Sequence, residues 1–350
     1  MPDDSGKHRH SRRADLLPVL AVVLLGALML GIATLWDGGL PDSASDAAKD
    51  PAAAAAALDP ETSDETRPRN DREERATDGS IIEGVEDSAL LRDVKAAEAE
   101  VKKVRMETAT FKIATFNLLG NNYTAPGGSR ASWPDAGPRA SMTVGLIRAH
   151  GADLVGVQEA RAPQYAAVKG GLGWDAYSKP GDTDNGIMWN PGVFELVAAD
   201  NFQIPYNGGH RAQSIVRLRH KESRREFYVL NMHTTSGRTG SRTASRNAGL
   251  RIAADYVNSL KSEKVPIFLI GDMNDRGNFY CQVIPRTGLV AAQGGGGTCG
   301  SAPRMRPVDW ITGYGGVSFS GYVDDFSAEH RRISDHPIVV ANATLVGSKN

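Results

Sequence analysis

Six short segments of the chain end in side chains that can bind a cation or move a proton. "ATFNLLG" carries Asn117, "LVGVQE" carries Gln158 and Glu159, and "VLNMHTTSG" carries His233. "FLIGDMND" carries Asp272 and Asn274, "RPVDWI" carries Asp309, and "ISDHPIV" carries Asp335 and His336. Each segment alone has an ordinary explanation. An Asp after an apolar run often closes a turn or caps a helix, and a lone histidine is usually a hydrogen-bonded structural residue. Together the segments supply four carboxylates, which at one place repel too strongly to stay ionised without a counter-charge. A hard divalent cation relieves that repulsion, and oxygen ligands suit magnesium, manganese or calcium. The two imidazoles exchange protons near neutral pH. Asp272 and Asn274 are two residues apart, which sends both side chains from one face of an extended chain. A carboxylate beside a carboxamide can hold an attacking water and an oxygen of the substrate.

These groups need strands to carry them. From Thr108 onward, short runs rich in β-branched and aromatic residues alternate with helical stretches and glycine turns. The expected strands are "FKIATFNLL", "LVGVQE", "GIMWN", "FELVAADNFQIP", "SIVRLRH", "EFYVLNMHT", "PIFLIGDMN", "VDWITGY" and "PIVVANATL". Two helices are expected, in "PRASMTVGLIRAHG" before "ADLVGVQE" and in "RTASRNAGLRIAADYVNSLK" before "VPIFLIGD". Both junctions run from helix through a short turn to a buried strand and then to acidic or amide residues. That repeated pattern predicts two similar layered halves: an α/β sandwich with two central sheets and helices outside.

The order "FN…QE…MH…GDMN…VDW…SDH" resembles the endonuclease/exonuclease/phosphatase superfamily, which has deoxyribonuclease-like, sphingomyelinase-like and inositol-phosphatase-like members. The resemblance covers about Thr108 to Leu345, and its most specific part is "GDMN" followed by "SDH" with "QE" upstream. It implies a four-layer α/β sandwich with two mixed sheets, and metal-dependent hydrolysis of phosphoesters. It also implies roles. Glu159 matches the main metal-binding glutamate, Asn117 the amide beside it, and Asp335 a further ligand on the metal side. Asp272 matches the residue that orients or deprotonates the attacking water, and Asn274 the amide that grips the phosphate. His336 matches the closing histidine and Asp309 its orienting carboxylate. His233 matches the histidine of a central "TH" segment, although Met232 stands where Thr is usual. Whether Asp272 or His336 is the base stays open. Arg211, in "GGHRAQSIVRL", is a further phosphate contact or a surface cation.

Charge divides the chain. Up to Glu107 there are 14 Lys/Arg against 22 Asp/Glu, and from Thr108 onward 26 against 19. The second part is therefore basic, and 19 of its 26 cations are Arg. A guanidinium fork matches phosphate oxygens, so this composition leans toward nucleic acid. "RTGSRTASR" (Arg238 to Arg246) offers three Arg after His233 as a rim for a polyanion or as a solvated helix start. "GGGG" (Gly294 to Gly297) has no following Lys-Ser/Thr, so it is no P-loop but a flexible connection.

The N-terminus reads as a membrane anchor. Basic residues 1–15 precede residues 16–36, which carry no charge and as a helix would span about 30 Å, the thickness of a bilayer core. A cleaved signal peptide usually has a shorter apolar region. The positive-inside rule puts the N-terminus in the cytoplasm and the rest outside; secretion after cleavage is the alternative. Residues 37–87 are expected to be a disordered linker, 88–107 a stalk helix, and 108–346 a monomeric catalytic domain. Cys281 and Cys299 would face an oxidising space, where a disulfide is expected. The leading expectation is an extracytoplasmic phosphodiesterase acting on nucleic acid. A phospholipid or a sugar or inositol phosphate is the alternative substrate, and "DWITGYGGVSFSGY" (Asp309 to Tyr322) is the one candidate for a hairpin that dips into lipid. A non-catalytic binding module on the same fold is the third reading.

Overall fold

The computed structural model describes residues 92–100 and 108–346. Residues 92–100 are helical, within the expected stalk. The expected anchor and linker, and the remainder of the stalk, lie outside the described residues. Among the described residues no helix is long and apolar enough to cross a membrane.

In chain order the domain runs β1 (Thr108–Asn117), α1 (Ala136–Ala149), β2 (Leu154–Gln158), α2 (Ala162–Leu172), β3 (Asp175–Ser178) and β4 (Asn185–Trp189). It continues through β5 (Phe194–Tyr206), β6 (Gly209–His220), β7 (Glu226–His233), α3 (Gly240–Leu260), β8 (Ile267–Asp272) and α4 (Gly277–Thr287). Its last strands are β9 (Val290–Ala291), β10 (Asp309–Tyr314), β11 (Val317–Asp325) and β12 (Ile338–Val346). One sheet has the order β11-β12-β1-β2-β4-β3 and the other β5-β6-β7-β8-β10-β9. Each sheet is mixed and holds one parallel pair, β1 with β2 and β7 with β8. The helices α1 and α3 make those two crossovers, so the two junctions read from sequence occupy equivalent places.

Alternation along the strands builds three apolar layers. Phe111, Ile113, Phe227, Phe268 and Ile270 fill the space between the sheets. Phe116 and Val157 face outward and join residues of α1 and α2, such as Val144, Ile147 and Val168. On the other sheet Leu230, Leu269 and Trp310 pack with Leu250, Val257 and Phe279 of α3 and α4. The result is helix, sheet, sheet, helix.

The space between the sheets changes character along its length. Away from the polar strand ends it is aromatic, with the rings of Phe111 and Phe227 4.9 Å apart and those of Phe111 and Phe194 5.0 Å apart. Toward those ends it becomes a lattice of amides. The Asn231 amide of β7 crosses to the other sheet, donating to the Val157 carbonyl at 2.9 Å and the Gly186 carbonyl at 2.8 Å. Its oxygen accepts from Gln158 Nε2 at 2.7 Å. Gly156 makes room, since a Cβ there would lie 2.5 Å from Asn231 Oδ1. Gln158, expected only as a neighbour of Glu159, thus faces the second sheet.

Two expectations change here. Residues 309–322 form no lipid hairpin: β10 and β11 belong to different sheets, joined by Gly315 and Gly316, both at positive φ. The glycine run is also more than a loose connection. It lies inside the loop closed by the Cys281–Cys299 bond, and the Gly297 amide donates to Tyr280 Oη at 2.9 Å. Asn231→Ala should cost at least the roughly 1–3 kcal/mol of one orphaned buried polar group. Thermal unfolding of the variant checks this; an unchanged midpoint would mean the lattice contributes nothing net.

Candidate active site

The registers bring the expected residues to one edge of the sandwich. Asn117 ends β1 beside Gln158 of β2. On the other sheet His233 pairs with Asp272, and Asp272 with Asp309. Glu159 directly follows β2 and Asn274 lies two residues past the end of β8; both take positive φ, as does Leu119. Such backbone typically costs about 1–3 kcal/mol per residue and clusters where function holds it in place. Gly271 allows β8 to lie close against β7, because a Cβ there would sit 2.0 Å from the Met232 carbonyl oxygen.

Asp272 is the hub. It is fully buried, and its Oδ2 accepts from Asn117 Nδ2 at 3.1 Å. The same oxygen lies 3.5 Å from His233 Nε2 and 3.7 Å from His336 Nε2. Its Oδ1 accepts from the Asn274 amide at 2.8 Å. Glu159 accepts from Asn117 Nδ2 at 3.2 Å and from the Gly120 amide at 3.2 Å, and its Oε1 is 3.8 Å from His233 Nε2. Asp309, also buried, holds His336 Nδ1 at 3.1 Å. Among the described residues, ligand atoms of Asp272, Asp309 and His336 lie within 4.8 Å of one another.

The electrostatics follow. Burial pushes the Asp272 carboxyl up to about 7; His336 opposes this and Asp309 adds to it. Burial would push His336 down, but Asp309 and then Asp272 overcome it, and the imidazole is held well above its ordinary value. His233 is held well below, by burial first, then by the charges of Arg211 and His336. The tight cluster therefore joins residues expected in catalysis, whereas the residues expected to bind metal lie around it. The physical reason is that His336 stands as the cation between two buried carboxylates. The donors fit a hard divalent ion: Glu159 is only partly buried and opens onto a small polar cavity that Arg161 and the Asp184–Arg211 pair also line.

Other expectations resolve individually. Asn274 uses its amide to donate to the Thr234 carbonyl at 3.0 Å, which leaves one N–H free. Asp335 is more exposed, 3.7 Å from Arg130 Nη2, on the same side as Glu159: both charges act on the Tyr123 hydroxyl. Arg211 is no surface cation. It is paired with Asp184 and largely buried, and its Nη1 lies 2.6 Å from His233 Nδ1. The three-Arg rim also divides. Arg246 is buried, held by Asp275 at 3.0 Å and by the Thr235 and Gly237 carbonyls. Arg238 and Arg242 stay exposed.

Two supports were not anticipated. Arg139 of α1 is fully buried and donates to the Leu118 carbonyl at 2.7 Å and the Ile333 carbonyl at 3.0 Å, bracing the chain on either side of the site. Ser334 donates to the Asn117 carbonyl at 2.5 Å and accepts from the His336 amide. Its place inside "SDH" was a usable signal. Nothing in "PRASM" marks Arg139 as buried.

A model of the endonuclease/exonuclease/phosphatase family matches residues 114–336, well over half of the chain. The chain belongs to that family, whose members are metal-dependent hydrolases of phosphoester bonds. Solved structures agree on the fold. A mannosyl-6-phosphatase of Bacteroides thetaiotaomicron is 16% identical, with a TM-score of 0.53 over 67% of this chain and 99% of that one. The human Nocturnin catalytic domain, bound to sulfate, is 17% identical, with a TM-score of 0.50 over 69% and 98%. D. rerio TDP2, complexed with a single-strand DNA product, is 15% identical, with a TM-score of 0.53 over 67% and 99%. No functionally curated protein matches.

Asp272 gives a pH test. Between its ordinary 3.8 and about 7 the folded protein holds a proton there that the unfolded chain releases. Its contribution to stability therefore falls as pH rises through that window. A cation held by Asn117 and Glu159 lies beside Asp272 and favours its ionised form, so binding below pH 7 must also expel that proton, whereas binding above it need not. Magnesium should raise the unfolding midpoint more at pH 8 than at pH 5.5. Equal gains at the two pH values would place the cation elsewhere.

Proposed function

We propose that the domain hydrolyses phosphodiester bonds of nucleic acid by in-line attack of a water. The observation that carries this reading is the meeting of Asn117, Glu159, His233, Asp272, Asp309 and His336 through contacts of 3.1–3.8 Å. Asp272, with a carboxyl near neutrality, orients the water and accepts its proton. His336, protonated between Asp309 and Asp272, donates toward the phosphate oxygens, and the remaining N–H of Asn274 steadies the same group. Asn117 and Glu159 would hold a magnesium or manganese ion, with Asp335 at the side. When bound, that ion neutralises charge developing on the non-bridging and leaving oxygens.

A groove of about 690 Å³ supports a polymeric substrate. Thr235, two residues past His233, lines it, with His210, Ser241, Arg242 and Ser245. No acidic side chain lines it. A monoester needs no such surface, whereas a nucleic acid strand extends past the scissile bond and brings further phosphates. D. rerio TDP2, which shares the fold, was crystallised with single-strand DNA product. A sugar phosphate is the second reading, favoured by the mannosyl-6-phosphatase likeness. For the whole chain we propose an anchor at 16–36 with the domain outside the cytoplasm. The charge-free run after a basic tail supports this, and so does the Cys281–Cys299 bond.

The test is a panel of DNA, RNA, sphingomyelin, inositol phosphates, sugar phosphates and a small chromogenic diester. DNA or RNA should be cleaved with magnesium or manganese and spared with EDTA. Asp272→Asn should lower the rate at least about 10²–10³-fold. Turnover of sugar phosphate alone would establish the second reading. Arg242→Ala should raise KM for an oligonucleotide and reduce the slope of log affinity against log salt by about one. It should leave the small diester unaffected; equal loss on both substrates would remove the groove from substrate binding.

A further inference from the structure

The two histidines that face Asp272 are set up in opposite senses. His336 presents its Nδ1 to a carboxylate, at 3.1 Å from Asp309 Oδ2, so that nitrogen carries a proton. His233 presents its Nδ1 to a guanidinium, at 2.6 Å from Arg211 Nη1. A guanidinium has five N–H donors and no acceptor. Nδ1 of His233 must therefore accept, and the ring proton resides on Nε2. That N–H faces Asp272 Oδ2 at 3.5 Å and Glu159 Oε1 at 3.8 Å.

Arg211 is held in place for this contact. Its Nη2 pairs with Asp184, and its guanidinium lies 3.5 Å over the Tyr206 ring. The side chains of Arg211 and Asp184 are only 14% and 9% exposed, so this is an interior ion pair and no rim cation. The next rung fixes its geometry. Asn185, beside Asp184, donates to Gln213 Oε1 at 2.8 Å, and the same oxygen accepts from the His233 backbone amide at 2.7 Å. The strand that supplies the arginine therefore also fixes the backbone of the histidine.

We propose that Arg211 is a positioning residue that locks His233 in its Nε2–H form, making it a fixed hydrogen-bond donor to the site and leaving proton acceptance to Asp272. Asp184 and Tyr206 hold the arginine, whose charge is already paired, so it is neither the phosphate contact nor the surface cation that the sequence left open. The assignment of catalytic consequence rests on the phosphodiesterase reading above; the tautomer itself does not.

The experiment therefore has two readouts. In the full chain labelled with ¹⁵N-histidine, long-range ¹H–¹⁵N spectra at pH 8 should show His233 protonated at Nε2 and bare at Nδ1, and His336 protonated at Nδ1. Arg211→Lys keeps a cation that can only donate, and should preserve the His233 pattern and most of kcat. The paired variant Asp184→Asn with Arg211→Met removes the donor without stranding a buried carboxylate. It should move the His233 proton toward Nδ1 and lower kcat roughly 10- to 100-fold, with KM changed less than about twofold. A proton on Nδ1 of His233 in the unaltered protein overturns the proposal, whether or not the paired variant folds. So does an unchanged pattern in a folded paired variant, or a rise in KM with kcat intact, which would make Arg211 a phosphate ligand. If no phosphoester is turned over, the spectra still decide the tautomer, and the phosphodiesterase reading alone falls.

Discussion

A carboxylate with no access to water governs this molecule. Asp272 ends a strand whose every residue is buried, and it meets Asp309 across one antiparallel rung. Two buried negative charges so close cannot persist without compensation. The domain answers with His336 placed between them and with amides from Asn117 and Asn274. These contacts draw the ends of both sheets to one point. The positive φ of Glu159 and Asn274 and the tight passage at Gly271 are the local costs of that convergence.

The amide lattice beneath the site has the same origin. Strand ends that carry polar groups cannot rest on phenylalanine rings, because an unpaired amide next to apolar surface loses its partners. Gln158, Asn185, Gln213 and Asn231 therefore replace the aromatic filling as the strands approach the cleft. They bond to each other across the two sheets, Gln158 to Asn231 and Asn185 to Gln213, and two of them reach the backbone behind the catalytic groups. A rigid polar floor of this kind holds donors in place, whereas an apolar floor would hold only shape.

Much of this was legible in the sequence, for identifiable reasons. Long strands buried on both faces announce themselves as apolar runs, and their polar ends stand out by contrast. The quiet elements were those that lack such contrast. β3 is a four-residue edge strand with no fully buried residue, and β11 likewise has none and carries an irregularity between Ser320 and Val323. α2 contains two glycines and α4 contains Pro285, and both features argue against a helix in isolation. The harder omission concerns buried charge. Arg139, Asp184, Arg211 and Arg246 look like surface residues on paper. Their interior positions exist only because the fold supplies carbonyls or a counter-ion at each, in part from segments far away in sequence such as Ile333 for Arg139.

The first and last strands lie side by side. Thr108 pairs with Val346 at one end of β1, and Asn117 opens onto the cleft at the other, about 30 Å away at the usual rise of an extended chain. Both ports of the domain are thus on the pole opposite its catalytic face. The chain therefore enters β1 at the end of the strand farthest from Asn117 and leaves β12 beside it. The pairing that closes the two chain ends on each other, Thr108 with Val346, uses no residue of the site.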